Sequence, residues 1–251
     1  MSKLGITTRT GCPPLSLGST VAPLERIASL AHYHFGQTLY CESARADYWY
    51  RIVSGAAREC ILTADGRRQI VDFLLPGDVF GFSCRGVRGL AGEIIVEATT
   101  IACYPRRLAE ELAESDPVVA RRVREMAFES IERLQARTVL LGCTSAIEKV
   151  SAFLLEMAAR SATAPNAAIP LPMTRYDIAD YLALAVETVS RALTTLRRVG
   201  AITLLGTRRV QINDRNRLLN PGAAMAPVER SDAGRALRAN ARPVTSCEHR
   251  T

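Results

Sequence analysis

Hydrophobic and polar positions follow three successive patterns along the chain. Residues 1–22 carry Gly, Pro, Ser and Thr with little periodicity and read as a flexible arm. Leu24, Ile27 and Leu30 then fall on one face of a short helix. From about Tyr33 to Tyr104 short apolar or alternating segments are broken by turn signals: Trp49–Val53 before Ser54-Gly55, Ala56–Leu62 before Ala64-Asp65-Gly66, Gln69–Leu75 before Pro76-Gly77-Asp78, then Glu93–Ala98 and Ile101–Tyr104. Regularly spaced short strands with Asp-Gly and Pro-Gly turns predict an all-β barrel or jelly roll over residues 23–114.

Near Pro105 the period becomes helical. Asp116-Pro117 is a helix start, with Asp as N-cap and Pro in the first turn. Ala127, Ile131, Leu134, Thr138 and Leu141 follow 4-3-4-3 spacing, a narrow seam close to the heptad period, while Arg121, Arg122, Arg124, Glu125, Glu129, Glu132 and Arg133 fill the other faces. Such a seam on a long helix, residues 115–143, suits pairing with a second copy of the chain, giving a homodimer; packing on the chain's own β domain is the alternative. Gly142 breaks the helix, and Ser145-Ala-Ile-Glu148 is a capping box that opens the next one, with Val150, Phe153, Leu154 and Met157 as its apolar face. Ser161–Pro170 reads as a loop. A helical and hairpin segment completes a unit over 144–219, and residues 220–251, made of Ala, Arg, Pro and Ser with few large apolar side chains, read as a disordered tail. The fold class predicted is α+β.

Composition adds a bias toward polyanions. The chain has 251 residues, is 48% hydrophobic and carries a formal charge of +7. The only lysines are Lys3 and Lys149, so the positive charge is nearly all Arg, which suits bidentate contacts to phosphate and guanine; a coding bias gives the same excess. No apolar run is long enough to cross a membrane and no signal-peptide core is present at the start, so a cytoplasmic chain with no membrane partner is expected. Seven scattered cysteines contain no Cys-x-x-Cys pair, so neither a zinc site nor a disulfide framework is expected.

The chemistry concentrates between residues 174 and 212. Thr174-Arg-Tyr-Asp177 resembles a capping box with Asp for Glu, and Ile178, Tyr181 and Leu182 form the inner face of a short helix. After a turn at Leu184-Ala185, a second helix from Val186 to Val199 turns Val189, Leu193 and Leu196 inward, leaving Glu187, Ser190, Arg191 and Thr194 outside near its N-terminus. Two short helices around a tight turn are a helix-turn-helix. Gly200 ends the second helix, and Ile202–Leu205, Gly206-Thr207 and Arg208–Ile212 make a wing. Arg191 can donate twice to guanine, and Glu187 can accept from cytosine. Val186, Glu187, Ser190 and Arg191 are the candidate base readers of double-stranded DNA; Thr174, Arg175, Thr188, Arg208 and Arg209 are the candidate phosphate contacts. A solvated helix whose Glu187 and Arg191 merely pair, four residues apart, is the alternative.

These residues resemble the Crp/Fnr superfamily of bacterial regulators, over roughly Leu24 to Asn216. The most specific stretches are Met173-Thr-Arg-Tyr-Asp-Ile-Ala-Asp-Tyr-Leu and Val186-Glu-Thr-Val-Ser-Arg-Ala-Leu; a second is Gly55 to Gly81, with Phe73-Leu-Leu-Pro-Gly-Asp-Val-Phe-Gly81, which looks like that family's cyclic-nucleotide-type β roll. The Glu-x-x-Ser-Arg pattern is similar to the Fnr and FixK branch. The resemblance implies a homodimeric activator of oxygen-limitation or nitrogen-oxide-related genes that reads a TTGA…TCAA palindrome and contacts RNA polymerase. It departs from relatives in three places. Phe82 and Gly92-Glu93 stand where cyclic-AMP binders hold the ribose and phosphate, so no cyclic AMP is expected. Only Cys12 lies in the N-terminal arm, so no iron–sulfur cluster is expected, and FixK-like members lack both devices. Ala183 and Ala185 stand in the turn where relatives carry Gly and Thr or Ser. Within the second of these departures, Thr174 stands where some FixK-like members carry a redox cysteine, so redox control there is not expected either.

Rival readings rest on the roll. His32-Tyr-His34 resembles a cupin metal pair, but the only other histidine is His249, in the tail, so no metal, cofactor or enzyme is expected. Phe82, Cys84, Val87 and Leu90 could line a small-molecule pocket or form filled core. A redox switch at Cys60, Cys84, Cys103 or Cys143, with Cys84 and Cys143 the principal candidates, needs an exposed thiol.

Overall fold

The computed structural model describes residues 23–161 and 167–221. The arm expected over 1–22 and the tail beyond residue 221 lie outside them, as do Cys12, Cys247 and His249.

Eight strands build the roll: β1 (Ser29–Tyr33), β2 (Thr38–Tyr40), β3 (Tyr48–Ser54), β4 (Ala57–Leu62), β5 (Arg68–Leu74), β6 (Val79–Phe80), β7 (Ala91–Ile94) and β8 (Thr99–Pro105). They form two antiparallel four-stranded sheets, ordered β1-β8-β3-β6 and β2-β7-β4-β5. Strand alternation sorts the side chains of β8. Ile101 and Cys103 point between the sheets into a cluster with Tyr40, Tyr50, Ile52, Leu74, Phe80 and Ile94. Ala102 and Tyr104 point the other way, into a second cluster with Leu24, Trp49, Val119 and Met126.

Two expectations fail at the start and end of this pattern. The helix expected over Leu24–Leu30 is a short 3-10 helix, Pro23–Ile27, and Leu30 belongs to β1. Pairing of Ser29–Tyr33 with Cys103–Thr99 of β8 overrides the local spacing. The strand expected over Glu93–Ala98 stops at Ile94. Ala98 has φ 54°, and the Glu97 carboxylate accepts from the Phe35 amide at 3.0 Å, which together turn the chain back into β8.

Helices α1 (Arg106–Ser115), α2 (Pro117–Gly142) and α3 (Ala146–Arg160) follow. Asp116 caps α2, accepting from the Val118 amide at 2.8 Å, with Pro117 in the first turn. The capping box at Ser145 and Glu148 is formed. At 26 residues α2 is about 39 Å long. It lies on the roll with a stripe the sequence did not announce: Val119, Val123, Met126, Ser130, Arg133, Arg137 and Leu140. The predicted seam is rotated out of that contact. Ile131 is 47% exposed and Leu134 46%, Thr138 is exposed, and Ala127 and Leu141 are half-buried.

The C-terminal part holds β9 (Ala168–Pro170), α4 (Arg175–Leu182), α5 (Val186–Arg198), β10 (Ile202–Leu204), β11 (Arg209–Ile212) and α6 (Arg215–Leu219). The hairpin β10–β11 is the expected wing. The loop expected up to Pro170 instead ends in a strand: Ile169 is buried opposite Val210, and Pro170, which lacks a backbone donor, sits on the exposed edge. One apolar core runs from the roll into this part. Phe73 of β5, Phe153 of α3 and Tyr181 of α4 meet with ring centroids 4.9 to 6.3 Å apart.

Candidate nucleic-acid interface

The helix-turn-helix is fixed by local chemistry at each end of α4. Thr174 Oγ1 accepts from the Asp177 amide at 3.2 Å, and Asp177 Oδ2 accepts from the Thr174 amide at 2.9 Å and from Thr174 Oγ1 at 2.8 Å. The shortened capping box therefore closes with Asp in place of Glu. At the other end Ala183 adopts φ 52°, ψ 51°, and the Leu184 amide donates to Ala179 O at 3.0 Å. This left-handed residue redirects the chain, although alanine bears the steric penalty that glycine escapes. Ala185 is the N-cap of α5, with φ −72° and ψ 145°, and offers no side-chain acceptor.

Val189, Ala192, Leu193 and Leu196 bury one face of α5. The opposite face leaves Glu187, Arg191 and Thr194 exposed and Val186, Thr188 and Ser190 half-buried. Arg175, Tyr176, Val186, Glu187, Ser190 and Arg191 line a single open depression where the first turns of α4 and α5 converge. All four predicted readers are thus brought together with Arg175. Thr174 sits one residue away as the cap of α4, and Thr188 occupies the first turn of α5, its amide bonded to Ala185 O at 3.0 Å. Arg208 and Arg209 are exposed at the wing, where Gly206 has φ 78° and the Leu205 amide donates to Arg209 O at 2.9 Å. Tyr176, 68% exposed in the depression, was missed. Its signal was available: it lies on the side of α4 opposite Ile178 and Tyr181.

Among the described residues, Glu187 and Arg191 form no ion pair, so the bracing allowed by their spacing is not made. Arg175, Arg208 and Arg209 are likewise without carboxylate partners among the described residues. Arginines of the roll, by contrast, are widely paired, as at Arg45–Asp47, Arg51–Glu25 and Arg67–Asp65.

Residues 148–220 match the Crp-like helix-turn-helix domain and residues 30–116 the cyclic nucleotide-binding domain. The chain is 36% identical to the nitrogen fixation regulation protein FixK of Bradyrhizobium diazoefficiens over 206 residues, 81% of this chain and 86% of that protein. It is 36% identical to the transcriptional activator protein FnrL of Cereibacter sphaeroides over 208 residues, 79% and 82% of the two chains. The solved structure of FixK2 from Bradyrhizobium japonicum superposes with a TM-score of 0.72 at 40% identity, covering 77% of this chain and 96% of that one. The chain belongs to the Crp/Fnr family of DNA-binding transcription regulators. It is a regulator and not an enzyme.

The Crp/Fnr roll here has an interior built from its own side chains. The buried Arg88 guanidinium lies 4.5 Å from the Tyr40 ring centroid and 5.2 Å from that of Tyr50, and it donates to Gly81 O and to Tyr48 O. A Cβ on Gly81 would meet Arg88 Nη1 at 2.6 Å, and one on Gly92 would meet the Tyr40 ring at 2.8 Å. Tyr40 donates to Glu59 at 2.5 Å, and burial raises the pKa of both groups. Of the residues on which the absence of cyclic AMP is expected, Phe82 packs on Trp49, ring centroids 5.1 Å apart, and Glu93 pairs with Arg58 at 2.6 Å. Of Phe82, Cys84, Val87 and Leu90, Cys84 and Val87 are exposed and the other two half-buried, so the four do not form filled core.

The thiols divide by burial. Cys60 and Cys103 are buried, and burial pushes the Cys60 thiol up, against thiolate chemistry. Cys84 is exposed in the β6–β7 loop and Cys143, the C-cap of α2, is half-buried; Cys41 is a further exposed thiol. His32 and His34 take separate partners, Thr100 at 3.1 Å and Glu97 at 2.5 Å, and no metal-binding group of three ligands occurs among the described residues. No helix of the described residues is long and apolar enough to cross a membrane.

Proposed function

We propose that this regulator binds a TTGA-type palindrome as a homodimer, pairing through Ala127, Ile131, Leu134, Thr138 and Leu141 of α2 and laying one α5 in the major groove of each half-site. Val186, Glu187, Ser190 and Arg191 read base edges, Arg191 by two hydrogen bonds to guanine and Glu187 by accepting from cytosine. Thr174, Arg175, Thr188, Arg208 and Arg209 hold phosphates around them. The observation that carries this reading is the open depression in which the unpaired Glu187 and Arg191 meet Arg175. The half-exposed Ile131 and Leu134 support the dimer, since α2 already packs on the roll with another stripe.

The dimer acts as an activator in contact with RNA polymerase, on genes for low oxygen or nitrogen oxides. The likeness to proteins named as a nitrogen fixation regulator and a transcriptional activator supports that role. Titration of the full chain on a TTGA…TCAA duplex by gel shift tests the reading. A dimer should bind with steep salt dependence, and equal binding to scrambled duplexes refutes sequence reading. Genome-wide occupancy with and without oxygen tests the process: sites unchanged in position and unrelated to oxygen-limited genes refute it.

A further inference from the structure

The first helix of the DNA-binding motif does not stand on its own domain alone. Helix α4 lies across β5 of the roll, and four polar ties hold it there. Arg68 reaches Asp180 Oδ2 with both Nε and Nη2, at 3.1 and 2.8 Å, and Asp177 Oδ1 with Nη2 at 3.1 Å. Arg58 spans from Glu93 of β7, at 2.6 Å, to Asp177 Oδ1, at 2.5 Å. Gln69 donates to the Asp180 carbonyl at 2.5 Å. Arg137 of α2 donates to Ile70 O at 2.5 Å and stacks on Tyr181 at 4.9 Å.

Asp177 is the centre of this arrangement. Its side chain is 5% exposed, and its two oxygens do different work. Oδ2 closes the capping box with Thr174, while Oδ1 takes the two guanidiniums of the roll. The same carboxylate therefore shapes the first turn of α4 and fastens that turn to another part of the chain. That turn carries Thr174, Arg175 and Tyr176, the residues that bring α4 to the interface. A planar fork that binds two oxygens fixes angle as well as distance, so Arg68 sets the direction in which α4 points.

We infer that Arg58 and Arg68 of the roll are positioning residues for DNA recognition, orienting the phosphate-contacting N-terminal turn of α4 through Asp177 and Asp180. The inference rests on the DNA interface proposed above. It makes the roll part of the DNA-binding site without touching DNA. Loss of Arg68 leaves α5 and its readers folded but lets the first turn of α4 swing, so phosphate contact weakens while base preference stays.

Fluorescence anisotropy of the full chain on the TTGA…TCAA duplex, over a series of salt concentrations, tests it. The variants are Arg68→Met, Arg68→Lys, Asp180→Asn and the double Arg68→Met with Asp180→Asn. Arg68→Met should weaken binding about tenfold, and the double variant should be as weak as that single rather than weaker by the product. The salt slope should fall by about one for each half-site whose α4 phosphate contact is lost, a change that mere loss of folded protein does not produce. Arg68→Lys, which keeps the charge but not the fork, keeps the chain folded if Arg68→Met does not, and should show the same fall in slope. Unchanged or tighter binding by the Arg68 variants, or a double variant restored toward wild type, overturns positioning; the last result would leave only neutralisation of Asp180. Failure of the wild-type chain to prefer the palindrome would instead refute the DNA reading itself, a result the variants cannot mimic.

Discussion

Replacing Ala185 by serine should stabilise the protein, because the chain already holds the geometry of a cap without the atom that makes one. Ala185 has the extended backbone of an N-cap, its carbonyl accepts from the Thr188 and Val189 amides at 3.0 and 3.1 Å, and its side chain is exposed. A hydroxyl at this exposed position can accept from the Glu187 amide in the first turn of α5, which contributes about 1 kcal/mol. Ala183 supplies a second term. Its left-handed φ of 52° costs an L residue about 1–2 kcal/mol, of which glycine recovers the steric part while losing roughly 0.4–1 kcal/mol to the freer unfolded chain. Ala183→Gly should therefore add about 0.5–1 kcal/mol, and the double variant up to about 1.5–2 kcal/mol, less whatever coupling two sites only two residues apart in one turn introduce. For a chain of this size that is a rise in Tm of roughly 3–8 °C. Urea unfolding followed by circular dichroism, at fixed protomer concentration so that assembly contributes equally, gives the shift in midpoint at constant m-value. An unchanged or lower midpoint for Ala185→Ser would refute the reasoning, because it would mean that the first amides of α5 lack nothing in the free protein.

Other outcomes follow from the same geometry. Arg191→Ala should cost about 1–3 kcal/mol in binding the palindrome and relax the preference at one base pair, read by competition with single-substitution duplexes; a loss equal on all duplexes would make Arg191 a phosphate contact. Ile131→Glu combined with Leu134→Glu places carboxylates along the exposed seam and should yield a folded monomer by sedimentation, with palindrome affinity lost; a persisting dimer would move the interface elsewhere. Burial raises the pKa of Asp72 even though Arg160 and Arg133 pull it back. A carboxyl raised on folding contributes stability that is present in acid and lost as pH climbs above about 3.9 toward its folded value. Asp72→Asn should remove that slope from the pH dependence of the urea midpoint, whatever its effect on the midpoint itself, and an identical slope in both proteins would count against it.

What was legible in the sequence was local. The caps at Asp116, Ser145 and Thr174 are signals of two to four residues, and each is closed by a hydrogen bond within its own turn. The helix-turn-helix was legible for the same reason: Val189, Leu193 and Leu196 repeat at helical spacing, and Glu187, Ser190 and Arg191 are what remains on the outside. Elements that depend on distant partners were not legible. Leu30 reads as helical until β8 captures it, and Ile169 sits in a run of small residues whose only instruction is Val210 of the wing. Arg88 looks like a surface residue in a Gly-rich loop. Its place between Tyr40 and Tyr50 follows from three segments that meet only in the folded roll.

Helix α2 shows how a narrow seam escapes detection when it is polar. Two 4-3 stripes run along it, and the inward one is apolar only towards its ends, at Val119, Val123, Met126 and Leu140, with Ser130, Arg133 and Arg137 interrupting it. That inward stripe fastens the helix to the roll through Ser130 and Arg133 on the Val79 carbonyl, Arg133 on Asp72, and Arg137 on the Ile70 carbonyl. Asp72 lies between Arg133 of α2 and Arg160 of α3, while Arg160 also reaches Asp78 at 2.6 Å and donates to the Phe73 carbonyl. Buried charges of this kind are costly when broken one partner at a time and contribute little as a set, so they act through geometry more than through stability. Their position fits that role. They fix the middle of the inward face of α2 by directional bonds to the roll and leave the stripe of Ile131 and Leu134 free, so the roll, the proposed dimer axis and the DNA-binding helices are referred to one another through arginines whose forks tolerate little rotation.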